Sequence, residues 1–468
     1  MVYQRAKGVT DTLPFGTRQD VYAVGYEWLN YSLAPPPVLS VQPRIIIGEA
    51  SCSRPYAASL LNISAMSFGA LSKNAILALN GGAKLGGFAH NTGEGGISPY
   101  HLAPGGDLIW QIGTGYFGCR TPDGRFDPDQ FRDTARLDQI KMIELKLSQG
   151  AKPGHGGVLP GTKVSTEIAQ IRGVEPGQTI ISPSAHTAFS TPEGLLVFVA
   201  CLHELSDGKP VGFKLCVGNP QEVFSIGKAM LNTGVTPDFI TVDGAEGGTG
   251  AAPLEFSNSV GMPLDDALVL IHNTLVGLGV RDQVKVIASG RILSGFHIAT
   301  RLALGADLCN AARGMMFALG CIQALRCNTN KCPVGVATQN PQLVKGLYVP
   351  DKTTRVANFH TATVQSFLEL LAAAGLSHPT ELQPFHICRR VSSTDVRHYG
   401  EIFSFVEPGS FLGALPPARY VEAWAAAQAT SFHPKPAADG MLSLPPDTNT
   451  TVRQGPVDIP ENAKEGNA

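Results

Sequence analysis

From about Ser59 onward, short apolar runs ending in Gly, Asp or Ser alternate with longer stretches of helical pattern. Residues 60–65 form one such run, and a helix rich in Ala, Leu and Lys is predicted from near Leu71 to Leu85. Residues 140–147 read as a strand ending at Gln149-Gly150. Residues 212–217 read as another, followed by a helix from Pro220 to about Leu231. Residues 238–242 lead into Asp243-Gly244, while 284–288 lead into Ser289-Gly290 and a helix from about Gly295 to Leu304. Residues 307–312 run directly into a helical stretch that carries cysteines. Strands alternating with helices predict parallel βα units. No dinucleotide fingerprint follows the first strand and chemistry sits on many strand ends, so an α/β fold of the (β/α)₈ (TIM) barrel type is expected. A doubly wound sheet stays open on pattern alone.

Around this core the text changes. Residues 1–45 read as an N-terminal arm, mixed aromatic and polar, ending at the stiff Ala-Pro-Pro-Pro of 34–37. The barrel is expected over 46–345 and a helical extension over 346–432, with a helix over 358–374 packed outside the barrel. Residues 433–468, rich in Pro, Ala, Gly and Thr, read as a flexible tail.

At 468 residues with 43% hydrophobic content, the chain can bury a large core. Its 36 basic residues balance 38 acidic ones, which argues against a nucleic-acid surface or a polybasic membrane patch. No apolar run approaches the roughly 18 residues of a membrane span, and the first residues lack a secretory core. Nine cysteines without framework spacing fit a reducing compartment, so a cytoplasmic location is expected.

Three constellations carry candidate chemistry. The first is the run from Val242 to Pro253, with Asp243 and four glycines between Gly244 and Gly250, Gly247 and Gly248 among them. Glycine permits close backbone approach to a phosphate or a flat ring, and the run follows a strand, where barrels place ligands. Ser289-Gly290-Arg291 and Ala311-Ala312-Arg313 close the last two strands, the position of a barrel's phosphate site, which suits a flavin mononucleotide. The second runs from Glu144 to Gly157: Glu144 and Lys146 share a strand face, and the loop adds Gln149, Lys152 and His155, with Arg172 further on. Donor-only cations in that number suit an organic acid with carboxylates, although surface lysines are the commoner outcome. Lys146 and Lys214 both interrupt apolar strand text, where an unpartnered lysine is costly. The third is Glu94, flanked by glycines in 91–96, which suits a base, a lysine partner or a plain turn residue. The histidines form no metal-spaced pair, and His186 and His272 read as satisfied helical or core residues.

Cys321, Cys327 and Cys332 lie in a single passage ending at Pro333, with five and four residues between them. A three-iron cluster needs only three outside ligands, whereas zinc and cubane sites usually take four. Positions 321 and 327 do not share a helical face, so convergence requires the chain to unwind after about Ala324. On spacing alone, cluster ligands and core thiols both remain open.

The segments 64–72, 91–96, 149–154, 243–253 and 320–339 resemble, in order, the flavin-binding synthase domain of glutamate synthase, most nearly its stand-alone, single-domain members. The resemblance extends from about Ser59 to Gln342. It implies a (β/α)₈ barrel that binds FMN and a [3Fe-4S] cluster and reduces 2-iminoglutarate, formed from 2-oxoglutarate and ammonia, to glutamate. By motif it implies flavin contacts at Met66, Ser67, Gln111, Lys214, Asp243 and the following glycines, with Gly290 and Arg313 at the phosphate. It likewise implies that Gln149, Lys152 and Arg172 hold the oxo acid, that Glu94 belongs to the catalytic set, and that Cys321, Cys327 and Cys332 ligate the cluster. Two departures stand out. The chain starts Met1-Val2-Tyr3 without the family's amidotransferase domain, so the ammonia is expected free or from a glutaminase-type partner. His155 also replaces the glutamate of the long enzymes' Lys-Pro-Gly-Glu-Gly-Gly loop, which opens the amine to methylamine, as in an N-methylglutamate synthase subunit. A non-catalytic electron-relay subunit is the remaining alternative. An electron-donor partner and an oligomer are expected, with no nucleic acid and no membrane among the partners.

Overall fold

The computed structural model describes residues 1–413 and 415–435; the expected tail lies outside the described residues from 436 onward. Eight parallel strands close into a barrel. In chain order they are β1 (Leu61–Ile63), β2 (His90–Asn91), β3 (Leu108–Ile112), β4 (Ile140–Lys146), β5 (Val211–Leu215), β6 (Phe239–Asp243), β7 (Lys285–Ser289) and β8 (Leu308–Ala311). Each pairs with its neighbour in sequence, and β8 closes on β1 through Cys309↔Leu61, Asn310↔Asn62 and Ala311↔Ile63. All five residues of β3 and of β5 are buried, because side chains fill the barrel on one face and helices cover the other. For that reason the strands read as apolar runs rather than as alternation.

Local signals set the helices between the strands. Ser72 caps α1 (Lys73–Gly86) by accepting from the Ala75 N–H, and Gly87 ends it with φ of 64°. Asn219 caps α5 (Pro220–Thr233), whose first turn carries the proline. β2 and β3 were not among the predicted strands. β2 is two polar residues long, and β3 has glycine before it and after it, so neither shows a periodic signature.

The helix expected over 358–374 starts earlier, as α9 (Val349–Ala373), with Pro350 in its first turn. It packs outside the barrel, where His360 stacks on Phe88 at 3.8 Å between ring centroids and meets Ser59 Oγ at 2.9 Å. The arm and the extension meet. Glu27–Leu29 pairs antiparallel with Ile387–Arg390, which pairs with Val396–His398, and Arg389 forms an ion pair with Glu27. Ahead of β1, the hairpin Arg44–Ile47/Tyr56–Ser59 lies at the N-terminal end of the barrel, where Tyr56 donates to Asp107 at 3.0 Å. Among the described residues no helix is long and apolar enough to cross a membrane.

Candidate functional site

The polar residues of the barrel gather at the C-terminal ends of its strands. Inside the barrel, Glu144 on β4 accepts from Asn91 Nδ2 (2.8 Å), Gln111 Nε2 (2.6 Å) and Thr241 Oγ1 (2.7 Å). One carboxylate thereby ties β2, β3, β4 and β6 together. Two positions along the same face, Lys146 emerges at the mouth and pairs with Glu94 Oε1 at 2.7 Å. Of the three roles left open for Glu94, the structure places it as the lysine's partner.

A network of charge surrounds this pair. Lys214 on β5 lies 3.9 Å from Asp243 Oδ2 at the end of β6. Lys152, on the loop after β4, is buried and donates to the Gly156 carbonyl. Arg172, at the end of the helix Thr166–Arg172, is buried and donates to the Phe68 carbonyl at 3.1 Å. Its guanidinium lies 5.2 Å from the centre of the Phe117 ring, and its Nε finds no partner among the described residues. Burial pushes the Glu94 carboxyl up, but Lys146, Arg172 and Lys214 together hold it below its ordinary value. Burial lowers Lys146, with Glu94 opposing; burial and then Lys146 lower Lys152. Burial brings the Arg172 guanidinium down to about 10, so it remains charged at neutral pH. Lys146, Lys152, Lys214 and Arg172 thus face Glu94 and Asp243, and they still outnumber the carboxylates when Glu144 is counted. A buried surplus of positive charge with an unpaired guanidinium nitrogen suits an anionic ligand.

The loops interlock around this pocket. A Cβ on Gly247 would lie 2.8 Å from the Ala151 nitrogen, and one on Gly250 2.8 Å from the Asn328 nitrogen. The glycine-rich run is therefore wedged between the Gln149–Lys152 loop and the cysteine loop, so two of its glycines serve contacts within the protein. Gly248, by contrast, faces open space. Asp243 accepts from the Gly150 N–H and from Ser289 Oγ, each at 3.0 Å. Half-buried Gln149 stands at the mouth of this loop, and Met66 and Ser67 lie on the loop after β1, where His101 Nε2 sits 3.3 Å from the Met66 carbonyl. Gly290 follows β7, and Arg313 opens the short helix after β8. The Arg313 guanidinium reaches back to the Glu246 carbonyl, and burial followed by the neighbouring Arg291 lowers it. His155 is exposed, its ring edge-on to Phe256 at 4.3 Å between centroids.

The cysteine passage differs from its expected form. The helix Arg313–Ala318 stops before Cys321, so none of the three cysteines is helical. Gly320 at φ 100° breaks the helix, and Gln323, Leu325 and Asn330 also take positive φ. The unwinding begins ahead of the expected point near Ala324 because a glycine just past a helix end terminates it more cheaply than the later proline. Burial, and then the neighbouring Cys321 and Cys332 thiols, push the Cys327 thiol up. Three thiols on one irregular loop, with a cation bound to it, suit a cluster that takes three thiolate ligands.

That cation is Lys163, which carries no motif in the sequence. Its Nζ donates to the carbonyls of Cys327 (2.7 Å), Ala337 (3.0 Å) and Ala70 (3.1 Å). Asn330 Nδ2 reaches the Thr162 carbonyl at 2.9 Å, and Gln339 Nε2 those of Gly69 (3.0 Å) and Leu71 (2.8 Å). The cysteine loop is thus fastened to the loop after β1. Its partners lie far away in sequence, so local text gives no signal for them.

Residues 37–377 match the family described as the conserved region in glutamate synthase. A glutamate synthase large subunit-like protein of Bacillus subtilis is 47% identical over 347 residues, 74% of this chain and 66% of that protein. An archaeal glutamate synthase [NADPH] of Methanocaldococcus jannaschii is 38% identical over 317 residues, 67% of this chain and 59% of its own. The glutamate synthase [NADPH] large chain of Bacillus subtilis is 33% identical over 351 residues, 72% of this chain and 21% of its own. The chain therefore spans about two thirds or less of the length of these relatives. With a family match over most of its length, the chain belongs to the glutamate synthase family.

Proposed function

We propose that this chain is an oxidoreductase that forms glutamate from 2-oxoglutarate and ammonia. The observation that carries the reading is the buried surplus of cations at the C-terminal face of the barrel. Arg172 and Lys152, both buried cations, would take the two carboxylates of the oxo acid, with half-buried Gln149 as a further hydrogen-bonding group. Glu94 stays ionised and meets Lys146 through Oε1, which leaves Oε2 to accept from an incoming amine.

FMN fits the strand ends. Lys214 and Gln111 supply donors, Gly248 leaves room for a flat ring, and Gly290 with Arg313 lies where barrels hold phosphate. FMN bound there would supply hydride to the imine carbon, and a [3Fe-4S] cluster on Cys321, Cys327 and Cys332 would supply electrons singly. Two of the relatives are named for NADPH; for this chain an electron-donor subunit and an ammonia source are proposed as partners. His155 is exposed and lies edge-on to Phe256, and no contact ties its ring to the cations, so it gives no reason to prefer methylamine among the described residues.

The test is product identity. Anaerobic protein, reduced with dithionite and freed of the excess, given 2-oxoglutarate and ammonium should yield about one glutamate per reduced flavin, each taking the two electrons of one hydride. N-methylglutamate from methylamine without glutamate from ammonium would replace this reading with the methylamine one. No amino acid from either would leave the electron-relay role.

A further inference from the structure

At the opposite end of the barrel, three side chains from distant parts of the chain converge. Cys52 lies in the connection of the hairpin ahead of β1, His203 near the end of the helix Pro192–Leu205, and Asp238 just before β6. One ligand atom of each lies within 4.8 Å of the others. We propose that Cys52, His203 and Asp238 form a binding site for a single zinc-like divalent cation that ties the hairpin to the floor of the barrel.

The geometry suits tetrahedral coordination. Bond lengths of about 2.3 Å to sulfur and about 2.1 Å to nitrogen put those two atoms roughly 3.6 Å apart on a tetrahedral edge. Cys52 Sγ and His203 Nε2 are 3.4 Å apart. Asp238 is buried, and its carboxylate is held by the Val211 N–H at 2.7 Å through Oδ2 and by the Ser51 hydroxyl through Oδ1. Such outer partners orient a ligating carboxylate and leave a second lone pair on each oxygen. The backbone bends closely over the sulfur, since Gly48, at φ 76°, has no room for a side chain beside Cys52 Sγ. A thiolate, an imidazole and a carboxylate select zinc over calcium or magnesium, with water in the fourth place. A plain S–H···N hydrogen bond between Cys52 and His203 is the competing account of the same 3.4 Å.

The site is remote from the anion pocket, so its fate and that of the glutamate synthase reading are independent. Full-length protein with its iron content determined is equilibrated with Zn²⁺ alone, desalted and analysed for both metals. Wild type should retain one zinc per chain more than Cys52→Ser and than His203→Gln, with equal iron in all three. Zinc should also raise the melting temperature of wild type and not of the variants. If Cys52→Ser does not fold, His203→Gln and the zinc absorption edge of wild type decide. One sulfur neighbour among nitrogens and oxygens supports the site. Equal zinc in wild type and variants, or several sulfur neighbours indicating occupation of the cysteine loop, overturns it.

Discussion

Lys163 Nζ donates to the Cys327 carbonyl at 2.7 Å while it also holds Ala70 and Ala337, so one buried ammonium fastens the cysteine loop to the loop after β1. Its position beside Cys327 and Cys332 also sets a fixed positive charge against the sulfurs. Lys163→Met leaves three carbonyls without their donor, and each buried acceptor so stranded costs about 1–3 kcal/mol. The expected outcome is a lower melting temperature and loss of bound iron, read by calorimetry and iron analysis. Unchanged values of both would show that the clamp is dispensable.

The glycine-rich run yields a paired comparison. Gly250→Ala places a methyl 2.8 Å from the Asn328 nitrogen and 3.0 Å from Cys327 Cβ, so it should push the cysteine loop outward and cut iron loading. Gly248→Ala meets nothing in the protein and should leave stability within about 0.5 kcal/mol, while flavin affinity falls if the ring lies there. Equal effects of the two on iron content would contradict the wedge.

In the anion pocket, Arg172→Gln or Lys152→Met removes one charge-assisted contact, worth about 1.5–3 kcal/mol. That corresponds to roughly 10- to 150-fold weaker binding of 2-oxoglutarate. Glu94→Gln acts differently, since it strands buried Lys146, and breaking such a pair costs about 3–5 kcal/mol. Binding titration and thermal unfolding separate the two classes. Wild-type affinity in the Arg172 variant would exclude it from the oxo-acid site.

The pocket should also be sensitive to base. Burial and Lys146 lower Lys152 below the ordinary lysine value of 10.5. Its charged form attracts the carboxylate, so 2-oxoglutarate affinity falls as pH rises through that lowered value. The Glu94 carboxyl moves the other way in stability terms. Its folded value is depressed below 4.5, so the stability it contributes is present above the unfolded value and is lost as acid takes pH through the folded one. Lys152→Arg should flatten the alkaline limb of binding, because a guanidinium stays charged where the lowered lysine does not. An identical limb in that variant would assign the titration elsewhere.

The pattern of apolar runs was enough for parallel βα units, since six of the barrel's strands stand as apolar segments with turn residues at their ends; closure into a barrel was read from the chemistry spread over many strand ends. β2 escaped because its two residues, His90 and Asn91, are polar yet buried, one on each face of the strand, through pairing that no local pattern encodes. The lysines at 146 and 214 announced themselves by their cost in apolar text, and each has a carboxylate close by. Lys163 and the Cys52–His203–Asp238 group did not, because their partners come together only when strands distant in sequence close the barrel. The cysteine passage was visible as a spacing, but its backbone was not: a glycine at 320 was enough to end the helix early.

The most direct test of the account is anaerobic stopped-flow reoxidation of the reduced protein. The flavin absorbance should return rapidly when 2-oxoglutarate and ammonium are both present, slowly with either alone, and slowly with both in Arg172→Gln. Reoxidation at the same rate with and without 2-oxoglutarate would contradict the assignment of the cationic pocket as the site of reductive amination.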